Sequence, residues 1–226
     1  MSTSGTAVFF PDIVECIEEA YEQAGLEMRT GYDMRTARRS LNLLALDWAN
    51  RGYNLWTIDQ QAVPLTQGIS TYILPPDTID ILEMVIRDTS VTPNVDIAIA
   101  RISMSTYATI PVKTTQGRPV QVWVNRQAQP QIVVWPIPSV NTYILMYWRM
   151  RRMQDTGNAG QYTFDIPQRF LPPLIAGLAY KIAMKRPEAA SRLPALKAEY
   201  EEQWMNASAE DREKASIRIV PTRAYI

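Results

Sequence analysis

The stretch Leu41–Trp56, LNLLALDWANRGYNLW, constrains the fold more than any other part of the chain. Met34, Ala37, Leu41, Leu44, Ala45 and Trp48 recur at the spacing that gives a helix one apolar face. Gly52 stands where a helix takes its left-handed C-terminal residue. From Leu55 and Trp56 onward, apolar residues alternate or come in short bursts between Pro and Gly. The stretch is therefore a junction between a helical part and a β part.

Reading outward from it, Phe10, Ile13, Ile17, Ala20 or Tyr21, and Ala24 predict a first helix. Pro11 suits its first turn, Asp12 and Glu15 complement its N-terminal dipole, and Gly25 stops it. Glu15, Glu18, Glu19 and Glu22 give this helix an acidic outer face. Asp33 is the expected N-cap of the second helix. That helix carries Arg35, Arg38 and Arg39 on its outer side, together with Leu43 and Leu46. Two leucines off the core face, beside three arginines, point either to a subunit contact or to burial under the β part.

The middle of the chain reads as strands. AVPLT and STYIL, joined through Gln67-Gly68 and stopped by Pro75-Pro76, predict a hairpin. TIDILEMVIRD follows, and VDIAIARI alternates as one further strand; MSTYATIPVK reads as a short helical turn or loop. VQVWVN and QIVVW predict two strands joined by a tight polar turn. In the last long strand, TYILMYWRMRRM, Tyr143, Leu145, Tyr147 and Arg149 share one side. Six or so strands with short connections argue for an antiparallel sheet or small sandwich.

A polar Gly-Asn linker precedes a second helical block that Asp165 and Pro167 open. LPPLIAGLAYKIAMK is apolar nearly all round, as a buried helix is, with Ala176, Gly177, Ala179 and Ala183 permitting close neighbours. Pro187 opens a last helix, reset or kinked at Pro194, with the stripe Leu196, Tyr200, Trp204 and Ala207 and a solvated EDREKA end. SIRIVPTRAYI then puts Ile, Val and Tyr where solvated termini carry Ser and Gly. It looks built to add to another surface. The expected fold is α+β: a helical bundle of N- and C-terminal helices with an inserted antiparallel β domain and an extended C-terminal tail. The corresponding boundaries are 1–56, 57–153, 154–215 and 216–226.

Composition removes most chemistry. The 226 residues include no histidine, one cysteine (Cys16), and neither a GxxxxGK[ST] nor a GxGxxG loop. Histidine-dependent triads, histidine-ligated metals, cysteine zinc clusters and those phosphate cradles are thereby excluded. No catalytic residue, metal or cofactor is expected. Acidic and basic residues balance at 23 each, so net charge argues for no general attraction to nucleic acid or membrane. No apolar run approaches the roughly 20 residues of a membrane span. The opening MSTSGTAVFFPD has neither a basic start nor a long apolar segment, so no signal peptide is expected.

WANRGYNLW after a helix, YILPPDTIDILEMVIRD, GRPVQVWVNRQ, IVVWPIP, YWRMRRMQD, DIPQRF with GLAYKIA, and EDREKASIRIVP occur in one order. Together, from about residue 11 to the C-terminus, they resemble the head-to-tail adaptors of tailed bacteriophages. The nearest type is the short-tailed-phage tail accessory factor or tail tubular protein A. The resemblance implies a structural virion protein of the neck, made in the host cytoplasm. It also implies a ring, commonly of twelve copies, docked below the portal protein. Its partners would be further copies, the portal, tail or nozzle proteins, and genomic DNA passing through without sequence-specific binding. The C-terminal segment grips the portal in some members. Here that segment maps onto Ile217, Arg218, Ile219, Val220, Pro221, Arg223, Tyr225 and Ile226.

A ring needs two different, complementary faces on one subunit. Glu15, Glu18, Glu19 and Glu22 are candidates for one; Arg35, Arg38, Arg39, Leu43 and Leu46 for the other. Two other classes compete. WRMRRM interleaves bases with aromatics, as a nucleic-acid-binding module would, although aromatics in a strand more often form sheet core. A cell-wall glycan hydrolase would need two carboxyl groups about 5–10 Å apart, whereas the acidic residues here are scattered on helix exteriors.

Overall fold

The computed structural model describes residues 5–6, 9–29, 31–52, 55–157 and 162–211. Its first helices are α1 (Ile13–Ala24) and α2 (Gly31–Arg51). Strands β1 (Ile58–Pro64), β2 (Thr71–Ile73), β3 (Thr78–Asp88), β4 (Val95–Ala98) and β5 (Ala100–Ile102) follow. A short helix α3 (Met104–Thr109) leads to β6 (Gln116–Gly117), β7 (Gln121–Asn125), β8 (Gln131–Trp135), β9 (Ile137–Pro138) and β10 (Tyr143–Arg151). Helices α4 (Leu171–Ala183) and α5 (Leu193–Glu210) complete the order. The chain divides into a helical unit, 1–47 with 155–226, and a β unit, 48–154.

In the helical unit α4 is the central element, packed by α1 and α5. It is apolar on nearly every side because it has neighbours on nearly every side. At Gly177 a Cβ would lie 2.8 Å from the Tyr200 ring and 3.0 Å from Leu44, so a side chain is excluded where α2, α4 and α5 converge. The expected stripes are buried: Ala37, Leu41, Leu44, Ala45 and Trp48 on α2, and Leu196, Tyr200, Trp204 and Ala207 on α5. Pro187 begins a 3-10 turn and Pro194 sits in the first turn of α5, so the proline resets the helix rather than kinking it.

Two expectations about acids are corrected. Asp33 is not the N-cap of α2, which begins at Gly31; it lies in the first turn, buried, paired with Arg186. Its carboxylate also accepts from the Arg29 N–H (3.2 Å). The EDREKA end is not solvated throughout. Glu210 is exposed, but Asp211 is buried against Arg169. In both cases a basic side chain distant in sequence pairs with the carboxylate, a compensation that local pattern does not carry.

The β unit is a sandwich. One sheet runs β1-β10-β3-β4, the other β2-β8-β7-β5, and β6 pairs with β9. Ile81, Met84, Ile86, Leu145 and Tyr147 of the first sheet share a core with Val122, Val124, Ile132 and Val134 of the second. The expected β7–β8 hairpin is present, with Trp123 opposite Val133. The AVPLT–STYIL hairpin is not. β1 pairs with β10 and β2 with β8, so the connection crosses from one sheet to the other. Burial of both Leu65 and Leu74 in the shared core fixes that crossing. VDIAIARI likewise breaks at Ile99: β4 joins β3, while β5 runs parallel to β7 in the other sheet. The β5–β7 and β6–β9 pairings are parallel; the other strand pairs are antiparallel.

Candidate subunit interface

The acidic face follows from how α1 is built. Asp12 caps the helix, accepting from the Glu15 N–H (2.8 Å), while Glu15 reaches back to accept from the Asp12 N–H (3.0 Å). This capping box fixes the first turn, and Gly25 ends the helix at φ 71°. Burial of Ile13, Cys16, Ile17, Ala20, Tyr21 and Ala24 then turns Glu15, Glu18, Glu19 and Glu22 outward. The four carboxylates line one groove of about 570 Å³, with Leu171, Pro172 and Ile175 of α4. Glu199 and Gln203 of α5 add to its wall, and among the described residues no basic one lines it.

The groove also borders Cys16, whose thiol is pushed up to about 11 by burial and by the neighbouring Asp12 and Glu15 charges. Glu15 is committed to the cap, and Glu19 accepts from Gln23 Nε2 (3.1 Å). Among the described residues Glu18 and Glu22 have no ion-pair partner.

The basic face lies on α2. Its core stripe turns Arg35, Arg39, Leu43 and Leu46 to the opposite side, where Leu43 is 55% and Leu46 49% exposed. These four and Arg38 line one hollow, joined by Asn42, which accepts from the Thr156 N–H (3.1 Å) and so ties down its rim. Among the described residues no acidic one lines the hollow. The structure thus brings together the five α2 residues singled out from sequence, and separately the four glutamates. Leu43 and Leu46 stand exposed on the helical unit rather than buried. The expected tail residues 217–226 lie outside the described residues.

Sequence reading missed two parts of these faces. The apolar floor from α4 and the Glu199 wall depend on which helices pack side by side, and no local pattern states that. Lys181 in the last turn of α4 and Lys185 in the turn just beyond it extend the positive charge beside Arg39. Lys185 donates to Ser40 Oγ, and its ammonium titrates below its ordinary range because of burial and then the Arg39 and Lys181 charges. The local signal is the Lys-x-x-x-Lys spacing that spans the end of α4.

The profile of the family described as SU10 adaptor protein matches residues 18–223. The chain belongs to that family. It is a phage adaptor, as the order of its motifs implied, and hence a structural component of the virion. Comparison with curated proteins gives no match.

The adaptor's WRMRRM segment does not present a free basic stripe. Arg149 lies inside the β unit, its side chain 7% exposed, donating to Asp59 Oδ1 (2.9 Å), Asp77 Oδ1 (2.6 Å) and Thr78 Oγ1 (2.9 Å). Arg152 donates to the Pro76 carbonyl (2.6 Å). Among the described residues of the adaptor no group of three or more Cys, Asp or Glu is arranged to hold a metal ion. None of its described helices is long and apolar enough to cross a membrane.

Proposed function

We propose that this adaptor links the capsid to the tail as a ring below the portal, in the virion neck, enclosing the channel through which DNA leaves. The observation that carries this reading is the adaptor family's match along residues 18–223, nearly the whole chain. The helical parts, 1–56 and 154–215, form the ring wall, and the inserted β domain, 57–153, meets tail or nozzle proteins. Residues 216–226 dock on the portal. Two charged faces of opposite sign on the helical unit, sharing no lining residue, suit the heterologous contact that ring closure requires. Genomic DNA passes without sequence-specific contact, and the role is structural rather than enzymatic. A glycan-hydrolase role gains nothing from the acidic groove. Glu15 is spent as a cap, and Glu18, Glu19 and Glu22 are exposed, whereas a general acid needs surroundings that disfavour its charge.

The test is light scattering of the chain alone and mixed with its cognate portal ring. Assembly into a large ring with portal, lost when residues 216–226 are deleted, is the expected result. A monomer unmoved by portal would overturn the reading.

A further inference from the structure

We propose that the groove between α1, α4 and α5 of one copy receives the outer ridge of α2 from a neighbouring copy. The inference rests on the ring reading and names the contact that closes it. Each surface has what the other lacks. The groove has an apolar floor, Leu171, Pro172 and Ile175, below a wall of carboxylates with no cation among the described lining residues. The ridge has Leu43 and Leu46 half exposed, beyond Arg35, Arg38 and Arg39 along α2, with no carboxylate among the described lining residues.

Spacing matches as well as sign. Glu18 and Glu22 are separated by four helical residues, as are Arg35 and Arg39, about 6 Å along each axis. Two ion pairs can therefore form at once between roughly aligned helices while the leucines meet the floor. Among the described residues none of these four side chains has an ion-pair partner within its own chain. Lys181 and Lys185 beside Arg39 lengthen the positive surface. A nucleic-acid backbone would satisfy the arginines, but it would leave the leucine pair facing solvent and give the acidic groove no role. A second copy satisfies all three.

The experiment exchanges the charges on full-length chain with portal present. Glu18→Lys with Glu22→Lys, and separately Arg35→Glu with Arg39→Glu, should each raise the concentration for half-assembly at least about tenfold. All four substitutions together should restore it to within about threefold, since the swapped faces complement each other. Circular dichroism establishes that each variant keeps its helices. Leu43→Cys combined with Ile175→Cys should give disulfide-linked oligomers under mild oxidant, with buried Cys16 silent.

If the unsubstituted chain assembles while both charge pairs leave assembly unchanged, or the fourfold variant fails despite native helicity, the contact is wrong and the ring reading stands. If the arginine pair abolishes salt-sensitive DNA binding without touching assembly, the ridge faces nucleic acid and the proposal falls. If the unsubstituted chain forms no ring with portal, both readings fall together.

Discussion

Arg149 sits among aliphatic and aromatic side chains because strand alternation puts it on the same face of β10 as Leu145 and Tyr147. That much is visible in the sequence. Its partners, Asp59 and Asp77, come from 90 and 72 residues away, and nothing local announces them. Removing the guanidinium leaves two partly exposed carboxylates and an unfilled polar site. Arg149→Met should therefore cost about 1–3 kcal/mol, measured by urea unfolding followed in the β unit. The cluster also sets a pH dependence. Desolvation raises the Asp59 carboxyl, but hydrogen bonds from Arg149 and Gln61 outweigh it and hold the group below its ordinary value of 3.8. A carboxyl lowered by folding stabilises the native state above its unfolded value, and that stabilisation is lost as pH falls through the folded value. Unfolding midpoints should therefore fall as pH drops below about 4, and Asp59→Asn should shrink the drop. At Gly177 the reasoning is steric: Tyr200 and Leu44 occupy the space of a side chain. Gly177→Val should destabilise the helical unit by about 1–3 kcal/mol, read as a lower melting temperature. The sequence marked this glycine as a close approach but could not name what approaches.

Helix α2 carries two patterns at once, and the sequence showed both: a core stripe ending at Trp48 and an outer face of arginines and leucines. Periodicity reports which side a residue occupies, so both faces of an amphipathic helix can be read from it. It does not report which strand pairs with which. β1 and β2 are neighbours in sequence joined by a short turn, yet they belong to different sheets, with Leu65 just after β1 and Leu74 just after β2 both buried in the shared core. The β4–β5 corner escaped for the same reason, since alternation continues through Ile99 while the pairing partner changes. Where both partners and the turn lay within one short segment, as in β7–β8, the reading held. The outer leucines give α2 its own test. Leu43→Glu with Leu46→Glu places charge on a surface already solvent-facing, so melting temperature should change little, by less than about 0.5 kcal/mol equivalent. Ring assembly with portal should be lost; rings that still form would show that α2 is not a subunit contact.

The adaptor's net charge of zero is a sum over surfaces that are locally far from neutral. Among the described residues, five carboxylates line one groove of the helical unit and three arginines line a separate hollow. A molecule built this way has little net charge to repel its own copies, while its two faces differ in sign and favour head-to-tail over face-to-self contact. Strength and register then come from different sources. Exposed ion pairs contribute only about 0–1 kcal/mol each, so in the proposed contact the charges would align the faces, and apolar burial by Leu43, Leu46 and the α4 floor would hold them. That division predicts how salt acts. Raising ionic strength from 0.1 to 1 M shortens the screening length from about 10 Å to about 3 Å. Assembly with portal should slow several-fold as steering is lost, while rings already formed dissociate little, because salt does not weaken apolar contact. Stopped-flow light scattering for formation and dilution experiments for dissociation separate the two rates. Rapid dissolution of preformed rings at 1 M salt would mean that ion pairs, not leucines, hold the copies together. Rates insensitive to salt would mean that the charged faces do not meet at all.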